Sequence, residues 1–289
     1  MARHHLPLAA TAATFAFAAL QLLAPRAAGY SWPVCGESSS FKPNSTYQSN
    51  LDLLAATLPR NASSSPSLYA TAGAIPNQVW AMALCRGDTA NATVCLSCLT
   101  QAFLDLRNDC SYDKDGTIYY DPCVLHYSDV HTLDAGGGDD TGLSLDTWVV
   151  SNNNNVTSDP ARFRGILADL VNATAERAAD DPKRRFATGE ADFDREEFPE
   201  KVYALAQCAP DQTAAQCHKC LAGIVDRDLG LFGNSIGGRV LGVNCTYRYE
   251  TAPFNGRRRC DCGLRHRAPE RRRRPCSRQR RPEEVSGKR

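Results

Sequence analysis

The chain has 289 residues, 13 cysteines and a formal net charge of +1. Its length allows about two domains, and so many cysteines are unusual in a cytosolic protein. The small net charge conceals an asymmetry, since residues 30–256 hold 17 basic and 28 acidic side chains whereas residues 257–289 hold 14 basic and 4 acidic ones. The acidic part excludes nucleic acid as the partner of the folded domains, because binding to phosphates needs a basic surface.

The chain begins with a predicted secretory signal peptide, residues 1–29. Arg3 precedes an apolar run over 6–23, and small residues at 27–29 supply a cleavage site before Tyr30. An uncleaved membrane anchor is the alternative, since the run approaches the length that spans a bilayer, but its Ala- and Thr-rich content favours removal. We therefore predict a secreted, extracellular protein with no transmembrane helix in the mature chain.

Asn-x-Ser/Thr sequons agree with an exported chain. Those expected to carry glycans are Asn44, Asn61, Asn91, Asn155 and Asn172. A sixth, Asn244, is the least suited to glycosylation because its middle residue is Cys245, which we expect in a disulfide.

One stretch of the sequence occurs twice. Residues 79–85, Val-Trp-Ala-Met-Ala-Leu-Cys, are echoed by residues 202–208, Val-Tyr-Ala-Leu-Ala-Gln-Cys, and each copy is followed by a Cys-x-x-Cys pair. Upstream, Tyr69-Ala-Thr71 is echoed by Phe186-Ala-Thr188. A long period with two copies indicates a duplicated globular domain rather than a solenoid. We place the domains at 30–133 and 143–254.

In the first domain, helical periodicity predicts helices over 50–58 and 93–106. The first is expected to end at Pro59, and serines 63–67 to form a surface loop. β-Branched and aromatic residues predict strands over 68–75, 79–85, 117–120 and 123–127, with Cys35 in an irregular stretch.

The second domain follows a Gly-rich acidic segment, 134–142, which is a flexible linker rather than a calcium loop because it lacks regular oxygen spacing and a closing Glu. Helices are predicted over 160–179, with Asp159 as N-cap, and over 213–229. Strands are predicted over 184–191, 202–208 and 238–250. Each domain is thus α+β, an antiparallel sheet packed against two helices. The tail over 255–289 has no apolar face and is predicted to be disordered.

The cysteines permit three interpretations. The six thiols of the first domain allow 15 disulfide pairings, among which the sequence alone does not choose. A redox dithiol or a zinc site suits a cytosolic protein better, so the signal peptide and sequons favour structural disulfides. His126, His131 and His218 have no metal-ligand spacing with the cysteines, and we expect no metal and no cofactor.

The spacing Cys-x8/9-Cys-x2-Cys, the Arg-Arg-Phe-Ala-Thr-Gly run at 184–189 and Arg248-Tyr-Glu250 resemble the ginkbilobin-homologous, or stress-antifungal, domain of plants. Tandem copies occur in secreted cysteine-rich repeat proteins and in the ectodomains of cysteine-rich receptor-like kinases. The resemblance implies five disulfides: Cys35–Cys110, Cys85–Cys95, Cys98–Cys123, Cys208–Cys217 and Cys220–Cys245.

The resemblance also implies a place for a sugar. Ginkbilobin binds mannose through an Asn beside its first cysteine, an Arg in a Gly-x-Arg-Val strand and a Glu after Tyr. Arg239 and Glu250 occupy the last two positions here, while the Asn falls somewhere in 152–155. The first domain has Gly36, Thr117 and Ser128 at the three places. The alternative for Arg239 and Glu250 is an intradomain salt bridge that fixes strand pairing.

We find no catalytic constellation and predict that the protein is not an enzyme. The resemblance implies a recognition module of the plant apoplast that binds a carbohydrate or an extracellular receptor protein in defence or stress signalling. Alternatives are a soluble homologue of a receptor ectodomain, as from a truncated cysteine-rich receptor-like kinase, and an antifungal protein. The Arg-rich tail is either a basic arm for acidic wall polysaccharide or the product of a frame shift or retained intron in a receptor gene.

Overall fold

The structure is a computed structural model that describes residues 31–36, 39–65, 67–89, 91–130, 147–194, 198–209 and 211–254. The predicted signal peptide, linker and tail lie outside these residues, and the domain boundaries stay predictions.

The first domain is an antiparallel sheet with two helices. Its elements are β1 (Trp32–Cys35), α1 (Thr46–Ser64), β2 (Ser67–Ala72), β3 (Val79–Cys85), α2 (Ala92–Asp109), β4 (Gly116–Tyr119) and β5 (Cys123–Ser128). The strands lie in the order β1-β4-β5-β3-β2. Neighbouring strands are antiparallel throughout.

The second domain repeats this topology. Its elements are β6 (Trp148–Ser151), α3 (Pro160–Asp180), β7 (Phe186–Asp192), β8 (Lys201–Cys208), α4 (Ala214–Phe232), β9 (Gly237–Leu241) and β10 (Cys245–Glu250). The strand order, β6-β9-β10-β8-β7, matches that of the first sheet. The predicted α+β fold, two helices against each sheet, is confirmed.

The helices of each domain cover one face of its sheet. In the second domain Val202, Ala204 and Ala206 on β8 share a core with the apolar stripe of α3, which includes the fully buried Phe163 and Leu170. Because side chains alternate along a strand, the intervening residues of β8 point to the opposite face. That outer face is the one that meets the other domain.

The predicted end of the first helix is wrong. Proline ends most helices because it lacks an N–H and clashes with the preceding turn, at a cost of about 3 kcal/mol. Yet α1 continues through Pro59 to Ser64, which also removes part of the predicted serine loop. Leu58 and Pro59 are both buried. We attribute the continued helix to this packing, which offsets the local cost.

Two strand predictions also need correction, and two strands were missed. The predicted strand over 68–75 ends at Ala72, and the predicted strand over 238–250 is a hairpin of β9 and β10. Between these two strands, a Cβ on Gly242 would lie 2.7 Å from the Cys245 carbonyl oxygen, so the tight turn requires glycine. Strands β1 and β6 were not predicted, and Cys35 lies in β1 rather than in an irregular stretch.

Five disulfides join the strands to the helices, and they are the five pairs that the resemblance implies. They are Cys35–Cys110, Cys85–Cys95, Cys98–Cys123, Cys208–Cys217 and Cys220–Cys245. The Cys35–Cys110 bridge closes a separation of 75 residues, which stabilises by about 4 kcal/mol in the chain-entropy model.

The second domain replaces this long bridge with other contacts. The Ser235 hydroxyl donates to the Asn152 carbonyl at 2.8 Å and lies 2.7 Å from that of Gly237. Phe232, at the end of α4, packs edge-on against Tyr247 and Tyr249. Hydrogen bonds and aromatic packing therefore connect the end of α4 to the sheet, whereas the first domain makes the equivalent connection with the Cys35–Cys110 disulfide.

Candidate functional site

The outer faces of the two sheets pack against each other. Met82, Leu84, Tyr119 and Val124 of the first domain share one apolar cluster with residues of the second. The second domain contributes Ala209, Leu241 and Val243. Burial of such apolar surface favours the joined arrangement.

A buried glutamine connects the backbones of the two domains. Gln207 on β8 accepts a hydrogen bond from the Gly87 N–H at 3.2 Å and donates one to the Cys85 carbonyl at 3.1 Å. A Cβ on Gly87 would lie 2.2 Å from the ring of Phe186 in the second domain. The amide of Gln207 uses both its acceptor and its donor, which fixes the relative position of the two strands.

Asp121 links three arginines at the edge of this interface. Its carboxylate lies 2.8 Å from Arg86 Nη1 and 3.6 Å from Arg239 Nη1, and it accepts a hydrogen bond from Arg248. Two of these arginines belong to the other domain. Asp88 pairs with Arg86 at 2.6 Å, so Arg86 is shared between two acids.

Arg239 faces the first domain. Its guanidinium lies 5.0 Å from the centre of the Trp32 ring, a cation–π distance, and its side chain is 18% exposed. Burial lowers the pKa of Arg239, and the nearby Arg248 lowers it further. The side chain that the resemblance assigns to a sugar is thus already engaged in protein contacts.

Glu250 pairs more closely with Arg248 than with Arg239. Its Oε1 lies 2.8 Å from Arg248 Nη2 and 3.8 Å from Arg239 Nη2. Gly237 leaves room for this carboxylate, since a Cβ there would lie 2.1 Å from Glu250 Oε2. Glu250 therefore forms an intradomain salt bridge, mainly with a residue that the sequence analysis did not select.

Strand register shows which residues of the two domains are structurally equivalent. Cys35 pairs with Gly116, and Ser151 pairs with the equivalent glycine, Gly238. The residue after Cys35, Gly36, therefore corresponds to Asn152. Arg239, Glu250 and Asn152 are thus the second-domain residues at the three positions that the resemblance links to a sugar.

The first domain differs chemically at these positions. Thr117 is buried, and its hydroxyl lies 2.8 Å from His126 Nδ1. Ser128 accepts a hydrogen bond from the Val130 N–H. Neither position carries a charge, so this domain offers no charged pair for sugar hydroxyls.

The asparagines of the five predicted glycosylation sites are exposed. They are Asn44, Asn61, Asn91, Asn155 and Asn172. Three lie on or at the ends of helices α1, α2 and α3. Glycosylation at these three places would cover the helical side of the molecule.

Cysteine and histidine side chains are the remaining candidate metal ligands. Cys35, Cys110 and Asp113 lie close enough to suggest a metal site, but the two sulfurs are joined in a disulfide and offer no thiolate ligand. His218 lies 3.1 Å from Asp180 on the exposed side of the helices, whereas His126 is buried in the first sheet and His131 is outside the described residues.

Sequence reasoning missed the residues that join the domains, above all Asp121, Trp32 and Gln207. Each contacts a residue more than a hundred positions away, and no local motif marks such a contact. The one available signal was the position of Gln207 in the repeat, where the first copy has Leu84.

Comparison with known proteins places this arrangement in a family. A family model described as salt stress response/antifungal matches residues 34–130 and 150–252. The cysteine-rich receptor-like protein kinase 6 of Oryza sativa subsp. japonica is 42% identical over 267 residues, which cover 87% of this chain and 37% of that kinase. This chain thus spans little more than a third of the kinase.

Two further relatives are matched over most of their length. Cysteine-rich repeat secretory protein 38 of Arabidopsis thaliana is 34% identical, over 74% of this chain and 81% of that protein. The antimicrobial ginkbilobin-2-like protein of Castanea crenata is 32% identical, over 83% of this chain and 95% of that protein. No helix among the described residues is long and apolar enough to cross a membrane.

Solved structures share the fold. The tandem DUF26 ectodomain of the Arabidopsis thaliana cysteine-rich receptor-like protein PDLP8 has a TM-score of 0.60 at 20% identity, over 76% of this chain and 96% of that one. That of PDLP5 has a TM-score of 0.59 at 21% identity, over 76% and 97%. Two matched segments, a repeated five-stranded sheet and relatives matched along most of their length lead to one conclusion: the chain belongs to the salt stress response/antifungal family, as a tandem of two of its domains.

Proposed function

We propose that this protein is a non-catalytic recognition module of the plant apoplast, whose two domains act as one rigid unit that binds an extracellular receptor protein. The observation that carries the proposal is the contact of Arg239 with the first domain. The side chain that the family resemblance assigns to a sugar instead lies on Trp32 and near Asp121. The relatives also support a role in extracellular protein recognition, since several are receptor-like kinases and one is a secretory protein.

Carbohydrate binding is the second candidate. It is favoured by the proximity of Arg239 and Glu250 on neighbouring strands, with Asn152 at the third family position. A charged donor and a charged acceptor can bind adjacent sugar hydroxyls. The cost is that a sugar has to compete with Asp121 for Arg239 and with Arg248 for Glu250. This competition is why we place a protein partner first.

The two candidates are separated by one binding experiment on the full secreted protein. A panel of purified receptor ectodomains and a glycan array are probed with the wild type, Glu250→Gln and the control Lys201→Gln. Lys201 forms a salt bridge with Glu190 at 2.6 Å on the same outer face, so its loss tests a general charge effect. Glutamine keeps the shape of Glu250 but removes its charge.

We expect saturable binding to at least one ectodomain, unaffected by excess methyl α-mannoside, and a clean glycan array. Binding of mannose-containing glycans that is lost in Glu250→Gln and kept in Lys201→Gln would instead establish the carbohydrate function.

A further inference from the structure

A cavity of about 240 Å³ opens on the outer face of the first sheet. Two alanines and five larger side chains line it; the larger ones are Tyr69, Thr71, Trp80, Met82 and His126. Register aligns them in cross-strand rows, because Tyr69 pairs with Met82 and Met82 with His126, while Thr71 pairs with Trp80. The cavity is therefore built by three adjacent strands rather than by a loop.

The cavity is continuous with the interface between the domains. Met82 belongs to the apolar cluster that the second domain covers, and it also lines the cavity. Tyr69 donates from its hydroxyl to Asp211 of the second domain at 2.8 Å. The cavity thus begins where the second domain stops covering the first sheet, and an occupant there extends an interface that already exists.

The equivalent surface of the second domain carries charged side chains. Following the register, Thr71 and Trp80 correspond to Glu190 and Tyr203, and His126 corresponds to Arg248. Glu190 is paired with Lys201 at 2.6 Å, and Arg248 with Glu250. Salt bridges occupy this surface in the second domain, whereas none of the seven residues that line the cavity in the first is Asp, Glu, Lys or Arg.

We propose that this cavity receives one aromatic side chain, tyrosine or tryptophan, of the partner protein. The proposal rests on the proposed function, since it names the anchor by which that partner is bound. Trp80 and Tyr69 offer aromatic rings against which another ring can pack. Tyrosine and tryptophan are also the side chains that most often anchor protein interfaces in pockets.

The polarity and the volume of the cavity limit which side chain it can bind. A charged side chain would lose its hydration in a cavity without an ionic partner among its lining residues, which disfavours lysine and glutamate. The Thr71 hydroxyl supplies a polar group for a phenol O–H or an indole N–H. The volume is below the roughly 300 Å³ at which pockets for drug-sized ligands begin, which suits a single side chain.

The probes are N-acetyl-tyrosinamide and N-acetyl-tryptophanamide, added to the full secreted protein and followed by NMR at the His126 ring and the Trp80 indole. Thr71→Glu introduces at the rim the acid that the second domain carries at the corresponding position. We expect binding to weaken about tenfold or more, because an unpaired carboxylate lies against the aromatic wall. Trp80→Phe keeps an aromatic wall and should retain binding.

The matched control is Ile75→Glu, which adds the same charge at a residue that is 86% exposed and outside the cavity. Disulfide content and circular dichroism check that each variant is folded. The proposal is overturned if neither probe shifts the two signals, if Thr71→Glu and Ile75→Glu weaken binding equally, or if methyl α-mannoside displaces the probes.

The same variants separate this proposal from the proposed function. If an ectodomain binds the wild type and Thr71→Glu with equal affinity, the cavity is not the anchor, and the protein still recognises a receptor. If the probes occupy the cavity but no ectodomain binds, the proposed function fails and the anchor proposal, which needs a protein partner, fails with it.

Discussion

Asp121 is the residue at which the charges of the two domains meet. Its carboxylate has Arg86 on its own domain and Arg239 and Arg248 on the other. Arg248 also lies 4.2 Å from the centre of the Phe254 ring, near the end of the described chain. Asp121 is therefore the acid that these arginines of the two domains share, in addition to their partners Asp88 and Glu250.

We predict that Asp121→Asn destabilises the protein by about 1 kcal/mol, a modest value because the side chain is 43% exposed and solvent screens its ion pairs. The midpoint of urea unfolding measures the change, and Asp169→Asn on the exposed side of α3 is the control. High salt should shrink the difference between wild type and variant. A difference that does not depend on salt would show that the effect is not electrostatic.

For individual residues, the sequence predicted where Arg239 and Glu250 lie but not which side chains they contact. The repeat and the family motif identified Arg239 and Glu250 as neighbours, and the structure has them on adjacent strands. Their principal partners, Trp32 and Arg248, were not foreseen. Trp32 lies in the other domain, and the choice between two arginines depends on differences of about 1 Å that no motif encodes.

Helix capping links an element to a modification site. The Asn91 side chain is the N-cap of α2 and accepts a hydrogen bond from the Thr93 N–H at 2.8 Å. Asn91 and Thr93 are also the first and third residues of a sequon. One side chain thus serves both the helix and the predicted glycan.

Two alanine substitutions separate these roles. Asn91→Ala should remove the glycan and the cap and cost about 1 kcal/mol of stability. Thr93→Ala should remove the glycan and keep the cap, with little loss of stability since Thr93 is exposed. The mass of the protein expressed in plant cells reports the glycan, and the unfolding midpoint reports stability. Equal destabilisation by both variants would assign the effect to the glycan.

The accuracy of the predicted elements follows the strength of their local signals. Residues 79–85 were predicted with the bounds of β3, and α3 begins at its predicted cap, Asp159. Strands β1 and β6 were missed because each is an edge strand of only four residues, too short for an alternating pattern to be recognised.

One echo in the sequence was misleading about register. Tyr69 pairs with Met82, and the residue paired with the equivalent Leu205 is Thr188, not Phe186. The sequence echo is therefore displaced by two residues from structural equivalence. An even displacement keeps each side chain on the same face, which is why the pattern still resembled a repeat.

Buried tyrosines set the response of the whole molecule to alkali. Burial raises the pKa of Tyr47, Tyr120, Tyr127 and Tyr249 above the usual value of about 10. The pKa of Tyr69, which is 37% exposed, is raised by partial burial and by the nearby Asp211 carboxylate. A raised folded-state pKa means that the unfolded chain loses these protons first. Their contribution to stability is thus complete below pH about 10 and is lost as pH rises above it.

We predict that the unfolding midpoint is unchanged by these groups near neutral pH and falls above pH about 10. The tyrosinate absorbance of these five side chains should appear together with unfolding rather than before it. Tyr249→Phe loses the hydrogen bond to the Ser235 carbonyl, which lowers stability at neutral pH by about 1 kcal/mol, and should make the alkaline fall less steep. A midpoint that stays constant well above pH 10 would contradict the prediction.

At the scale of the molecule, cysteine spacing and the repeat predicted a tandem of two similar domains, and the family and fold are confirmed. How the domains pack was beyond the sequence, because both sheets have an outer face with apolar residues and nothing local says what covers it. The cavity beside Trp80 depends on that packing, since its edge lies where coverage ends.

The contact that Gln207 makes between the domains limits which domains can be combined in one gene. Gln207 holds Gly87 and Cys85, but its counterpart in the first domain is Leu84, which has no amide to offer in return. The joint therefore has two unlike halves. A recombined gene that joined two first domains, or two second domains, would still encode domains that fold. It would lack one side of this contact, either the glutamine or the first-domain backbone groups that the glutamine binds. We therefore expect recombination between genes of this family to transfer the two domains together.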